Sequence, residues 1–153
     1  MRPIVIASDH AGFALKEKLR FILEAKKLRV RDLGTYTPER CDYPMFAYCL
    51  AKEISEGRSK QGILVCKSGI GNAIVANRLS GVRAALCYNV KAARLSRRHN
   101  DSNVLVLGSG FVNFQQARRI LNAWLNTRFE GGRHLRRLNQ LRKIEKELKR
   151  DKS

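Results

Sequence analysis

The chain is short of negative charge: 13 Asp and Glu stand against 31 Lys and Arg in 153 residues, leaving a formal charge of +18. An imbalance of that size calls for something anionic nearby, because a basic surface raises the encounter rate with sugar phosphates and attracts nucleic acid without regard to sequence. Zinc-finger spacing and the aromatic signature of the common RNA-binding modules are both missing, so no specific nucleic-acid role is expected. No apolar run approaches the roughly 20 residues that span a bilayer, and no basic segment leads into an apolar signal core after Met1. A soluble, cytoplasmic protein with no membrane partner is the expectation. Cysteines are few, Cys41, Cys49, Cys66 and Cys87, with no paired C-x-x-C and no histidines at the spacing of zinc ligands. That pattern argues against a metal site and fits free thiols in a reducing compartment. Internal repeats and low-complexity linkers are also missing, and residues 1–153 are expected to form one domain.

What is present is a globular balance, 44% apolar and 29% charged, laid out as an alternation. Strand patterns at about 3–7, 29–33, 62–66, 83–87 and 103–107 alternate with helical patterns at about 11–27, 43–57, 71–79, 89–98 and 113–126. Repeated β-α units predict a parallel sheet covered by helices on both faces, a Rossmann-like three-layer α/β sandwich with five strands. Leu15, Leu19 and Ile22, and later Ala117, Ile120, Leu121, Trp124 and Leu125, recur at the helical period and read as core. After Glu130-Gly131-Gly132, where the glycine pair marks a change of direction, a polar helix over 133–150 carries only Leu135, Leu138, Leu141, Ile144 and Leu148. From Arg133 to Ser153 there are nine Lys or Arg and three Asp or Glu. So narrow a stripe predicts a helix lying across the body or on a partner subunit.

The densest chemistry lies in Gly62 to Asn72, G-I-L-V-C-K-S-G-I-G-N. Ile63 to Cys66 suit a strand buried on both faces, and Ser68, Gly69 and Gly71 let the following backbone turn its N–H groups toward one point at the start of a helix, where negative charge is held. A tight strand-to-helix connection with a buried structural cysteine is the plainer alternative. The first strand, Ile4 to Ala7, stops at Ser8-Asp9-His10-Ala11-Gly12, placing two titratable side chains at a second strand end. In doubly wound sheets ligands bind outside the carboxyl ends of the strands where the winding reverses, between the first and third strands. Asp9 and His10 are therefore expected to face Cys66 across one crevice, although Asp9 also reads as a helix cap and His10 as a surface residue. Arg133 and Arg137, four apart on one helix face, suit a bidentate phosphate clamp or, more plainly, a solvated basic face.

Taken in order, S-D-H-A-G-F at Ser8 to Phe13, D-Y-P at Asp42 to Pro44, C-K-S-G-I-G at Cys66 to Gly71, R-R-H-N-D at Arg97 to Asp101 and E-G-G-R-H at Glu130 to His134 resemble the type B ribose-5-phosphate isomerases and the related galactose-6-phosphate and allose-6-phosphate isomerases. The resemblance implies interconversion of D-ribose 5-phosphate and D-ribulose 5-phosphate through a cis-enediolate, in the nonoxidative pentose phosphate branch, with no metal or organic cofactor. It assigns Cys66 as the base moving a proton between two carbons, which requires surroundings that favour its thiolate over a free thiol. The amides of Lys67, Ser68, Gly69, Ile70 and Gly71 would hold the enediolate oxygen. His99 would open the furanose ring with help from Asp9 and the Ser68 hydroxyl. Asn100 matches a sugar-hydroxyl contact, and His10, Arg133 and Arg137 match phosphate contacts. The family's site is completed across a homodimer, which implies that the C-terminal arginines or the His99 region come from the second chain.

Two positions depart from the family pattern. Lys67 stands where glycine is usual; if the turn required a positive φ there, strain of about a kilocalorie or two would follow. Gly110 stands where many relatives carry a phosphate-binding arginine. These departures leave a six-carbon sugar phosphate open as substrate, as well as a catalytically weakened relative that binds a sugar phosphate or nucleic acid. Retention of Cys66, Ser68, His99 and Asp9 together argues for the enzyme.

Overall fold

The computed structural model describes all 153 residues. Three strands, β1 (Ile4–Ser8), β3 (Gln61–Cys66) and β5 (Val104–Gly108), form the middle of a parallel sheet whose edges are β2 (Val30–Asp32) and β4 (Ala84–Leu86), in the order β2-β1-β3-β5-β4. The central strands are apolar without interruption because both faces are covered, and successive side chains divide between two cores. Ile4, Ile6, Ile63, Val65, Leu105 and Leu107 pack on the side of α1 (Phe13–Ala25), α4 (Val90–Asn100) and α5 (Phe114–Asn126). Val5, Ala7, Leu64, Val104 and Val106 pack toward α2 (Tyr43–Ser55) and α3 (Ile70–Ala76). The five-stranded α/β sandwich expected from the alternation is therefore present, with strand ends moved by at most one residue.

Helix ends depart further, for local reasons. The first helix is shorter at its start than its apolar period suggests, because residues 9–12 form a turn in which Asp9 Oδ1 accepts the Gly12 amide at 3.0 Å. The third stops at Ala76 because the next residue, Asn77, turns its carboxamide to the sheet edge: it donates to the Ala84 carbonyl (2.9 Å) and accepts the Ala84 amide (2.8 Å). That side chain occupies main-chain groups of an edge strand that would otherwise invite pairing with another chain.

Between α1 and the last residue of β2 runs a largely buried ion pair. Lys16 Nζ, without solvent exposure, donates to both Asp32 oxygens (2.7 and 2.6 Å) and to the Thr35 carbonyl (2.6 Å). Next to it, Ser8 and residues 34–35 exchange main-chain bonds at the end of β1.

The last helix, α6 (Arg133–Arg150), rests on the body through His134 and Leu138, its two buried residues. Leu135, Leu141, Ile144 and Leu148 remain 43–57% exposed. No helix is long and apolar enough to cross a membrane, and all four cysteines are free thiols.

Candidate functional site

Loops following β1, β3 and β5 converge at the carboxyl end of the sheet, where the strand order reverses between β1 and β3. Gly69, at φ 84°, makes the turn from β3 into α3. Lys67 is not in the left-handed region, which holds only Lys27 and Asp101 among non-glycine residues, so the lysine in the loop after β3 carries no backbone strain of that kind. Its stem lies over Gly110: a Cβ there would meet Lys67 Cε at 3.0 Å and Cδ at 3.2 Å. The Ser109 and Gly110 amides donate to the Cys66 and Lys67 carbonyls, each at 2.8 Å, and Ser109 Oγ donates to the Ala11 carbonyl at 2.9 Å. Three loops are thereby sewn into one rim.

Cys66 is 4% exposed at the end of β3, and its sulfur accepts the Gly69 amide at 3.2 Å. Burial pushes this thiol up from its ordinary value; the amides of Gly69, Asn72 and Ser68 pull it down, and the neighbouring Asp9 carboxylate pushes it up again. The balance is upward, contrary to the expectation of a favoured thiolate. The reason is that the amide cradle alone does not offset removal from water in a single chain. Not every amide of the loop is open to an oxyanion either, since Gly69 N–H is directed at sulfur and Ile70 N–H at Ser68 Oγ (3.1 Å).

Asp9 is 6% exposed and keeps Oδ2 clear of the cap that occupies Oδ1. His10 is anchored by the Cys41 main chain, its Nδ1 lying 3.0 Å from the carbonyl oxygen and 3.2 Å from the amide nitrogen, so Nε2 is the nitrogen left for a ligand. Tyr43, at the head of α2, closes the rim: a Cβ on Gly71 would fall 2.3 Å from its Cζ, so a larger residue there would push the Tyr43 ring aside. The D-Y-P motif marked Tyr43 without giving it a role. Tyr88 likewise had no sequence signal; its hydroxyl donates to the Ser68 carbonyl at 2.8 Å, and its ring stacks on Phe111 at 4.8 Å.

The remaining candidates lie elsewhere. Helix α4 runs back from β4 to β5, so His99 and Asn100, in its last turn, sit at the opening end of β5. Their neighbours confirm the place. Arg83, just before β4, donates to the Asn100 and Asp101 carbonyls at 3.0 Å, and Asn103, just before β5, accepts the Gly62 amide at the start of β3. A buried chain of hydrogen bonds, Trp124 Nε1 to Ser102 Oγ and Ser102 Oγ to Ser96 Oγ, both 2.8 Å, pins this helix end.

His99 lies under the first turn of α6, its ring stacked on His134 at 4.2 Å and 12°, with Arg133 and Arg137 exposed on the same helix. Cys66 instead pairs with Gly108, at the far end of β5 from Val104, about 13 Å along the strand. Within one chain the structure therefore gathers Asp9, His10 and Cys66 to Gly71 at one end of the sheet, and His99, Asn100, Arg133 and Arg137 at the other. Sequence reasoning omitted Glu130 and His134 from the second group, although E-G-G-R-H contains both.

His99, Glu130 and His134 bring one potential metal-ligating atom each within 4.8 Å of the others. The two imidazoles lie face to face, however, and Arg98 holds Glu130 Oε1 at 2.5 Å. The trio is thus an ion-pair and stacking cluster.

Residues 4–141 match the family model described as Ribose/Galactose Isomerase. Ribose-5-phosphate isomerase B of Escherichia coli K12 is 41% identical over 145 residues, covering 95% of this chain and 97% of that protein. A putative sugar phosphate isomerase of Rickettsia bellii is 46% identical over 135 residues, 88% of this chain and 94% of its own length. Among solved structures, ribose-5-phosphate isomerase B of Clostridium thermocellum superposes with a TM-score of 0.93 at 40% identity, covering 95% of this chain and 99% of that one. The Mycoplasma genitalium enzyme with bound ribulose-5-phosphate gives 0.92 at 40% identity, over 95% and 97%. With the same fold and a match over nearly its whole length, the chain belongs to the ribose/galactose isomerase family.

Proposed function

We propose that the chain is a cytoplasmic homodimer that interconverts D-ribose 5-phosphate and D-ribulose 5-phosphate in the nonoxidative pentose phosphate branch, using no cofactor. The observation that carries this reading is Cys66: a buried thiol at the topological switch point, hydrogen-bonded by a helix-start amide and bordered by the Asp9 carboxylate. His99, with Asp9 and Ser68, moves the protons that open the furanose, one leaving the anomeric hydroxyl and one reaching the ring oxygen. The Cys66 thiolate then takes the proton from C2, and the electron pair moves toward the carbonyl oxygen. The cis-enediolate that forms is held by the Lys67 and Gly71 amides, the loop amides not turned to the Cys66 sulfur or the Ser68 hydroxyl. Return of the proton to C1, with transfer of the O2 proton, gives the ketose. His10, Arg133 and Arg137 hold the phosphate, Asn100 a sugar hydroxyl, and Lys67 supplies an exposed cation beside the side-chain-free Gly110.

The split between the two ends of the sheet supports a homodimer. A thiol at one end and an acid-base histidine at the other serve one substrate only if a two-fold pairing sets the first end of one chain against the second end of its partner. The exposed apolar side chains of α2 and α3, Met45, Tyr48, Ile70 and Ile74, supply a face for that contact. The four exposed residues of the α6 stripe supply another. Guanidiniums brought to Cys66 in this way also favour the thiolate that burial disfavours. Steady-state conversion of D-ribose 5-phosphate, beside Cys66→Ala and with allose and galactose 6-phosphates as competitors, tests the reading. Pentose turnover lost in Cys66→Ala is the expected result. A folded protein that prefers a six-carbon sugar would move the substrate assignment, and one inert to all three would remove the isomerase reading.

A further inference from the structure

His134 occupies an unusual place for a histidine. It belongs to the inward stripe of α6 one turn before Leu138, is 5% exposed, and stacks face to face on His99. A purely space-filling position there would suit an aliphatic side chain, as it does at Leu138. The charges around it come from three directions: His99 from α4, together with Arg98 acting through Glu130; Glu130 itself from the segment before α6, with Oε2 at 3.5 Å from His134 Nε2; and Arg133 and Arg137 from α6. Glu130 is fixed in turn, since Arg98 holds its other oxygen at 2.5 Å and its amide donates to the Arg98 carbonyl at 3.1 Å.

Two imidazolium rings at 4.2 Å repel each other, so the pair holds one positive charge more readily than two. Burial and the neighbouring His99, Arg133 and Arg137 hold His134 below the usual histidine range, against the pull of Glu130. Pairing with Arg98 keeps the Glu130 carboxyl below the usual glutamate range. Near neutral pH the cluster is therefore a neutral His134 plate between a carboxylate and the ring of His99.

We propose that His134, oriented by Glu130, is a positioning residue for the ring-opening histidine: it fixes the plane of His99 and leaves His99 as the only one of the two rings to exchange a proton with substrate. This rests on the reading of His99 as the ring-opening group. His134 touches no substrate in this scheme and acts through its neighbour.

The test compares His134→Ala, His134→Phe, Glu130→Gln and, as a control on the underlying reading, His99→Asn. Each is measured by kcat, KM and the pH profile of kcat/KM for D-ribose 5-phosphate, and, where His134 is retained, by an NMR titration of its ring. His134→Ala is expected to lower kcat about tenfold with KM within about twofold of the parent. His134→Phe, which keeps a flat ring, should recover kcat to within about threefold. Glu130→Gln removes the carboxylate that pulls His134 toward the imidazolium, so the His134 midpoint should move further down. A folded His134→Ala with parental kcat and pH profile overturns the proposal, as does His134→Phe being as slow as the alanine variant. If His134→Ala does not fold, the phenylalanine and glutamine variants carry the test. Parental turnover in His99→Asn would instead remove the ring-opening assignment itself, whereas loss there with none at His134 removes only the positioning role.

Discussion

The two ends of the sheet are built by different means. At the carboxyl end, the Cys66 rim is made of buried side chains and main-chain groups, fixed by strand pairing, glycine turns and amide hydrogen bonds. At the opposite end, His99, Asn100, Arg133 and Arg137 stand on the last turn of one helix and the first turns of another, half-buried or exposed, their cations in water. A base that must be shielded from solvent is best placed where backbone surrounds it. Cations that must bind a phosphate keep their charge most cheaply where water still reaches them. One polypeptide meets both demands at opposite ends, and the proposed two-fold pairing would join them into one site.

The largest expected effect tests that joining. Cys66→Ala and His99→Asn should each lower turnover by roughly a thousandfold. Mixing the two variants under conditions of subunit exchange should restore about a quarter of the parental activity, because half of the pairs are mixed and each mixed pair contains one intact site. Mixed pairs that form by mass spectrometry yet remain inactive would mean that Cys66 and His99 serve the site from one chain.

The carboxyl-end rim should also be the stability-sensitive one. Lys16→Met leaves Asp32 without the buried cation that ties α1 to the segment beside β1. Denaturant unfolding should register a loss of about 3 kcal/mol. Truncating Arg137, an exposed side chain of the other half-site, should leave unfolding almost unchanged. Its effect belongs to binding: Arg137→Ala should raise KM for D-ribose 5-phosphate roughly tenfold or more, the loss of a charge-assisted phosphate contact. A comparable stability loss in both variants would erase the contrast between the two ends.

A smaller effect separates two thiols. Cys87 follows edge strand β4, and burial pushes it from 9.0 up to about 11, with no amide cradle opposing that rise. Cys66 is also raised, but three amides oppose the rise. By thiolate absorbance Cys66 should ionise before Cys87. Because the folded value of Cys87 exceeds the unfolded one, its contribution is complete below pH 9 and is lost as pH climbs through about 11. Over that window the parent should lose up to about 2.5 kcal/mol that Cys87→Ala does not lose. Parallel stability curves for the two would deny that Cys87 is shielded.

The sheet and its coverings were legible because periodicity reports burial. Val5 and Leu64 on one face and Ile6 and Ile63 on the other are apolar for the same reason that they are core. Helix ends were less so, since Asp9 and Asn77 act through single hydrogen bonds that leave no period. In the candidate site, Asp9, His10 and Cys66 were readable as one group from the winding rule alone. The separation of His99 from them was not readable from residue types, because it depends on which end of a strand a returning helix reaches. His134 was missed because a histidine among arginines looks like surface until its ring is found under another.

The sequence by itself determined the alternation that makes a five-stranded parallel sheet, the thiol and glycine turn at the end of its third strand, and the family to which these motifs belong. Those are properties of residues close together in the chain. The tertiary structure decided the rest: that burial raises Cys66 in the lone chain, that Lys67 lies across Gly110 without backbone strain, that His134 stacks on His99, and that the candidate residues form two halves at opposite ends of the sheet. Solvation and charge proximity depend on what surrounds a group in space, and segments far apart in sequence supply those surroundings only after the chain has packed.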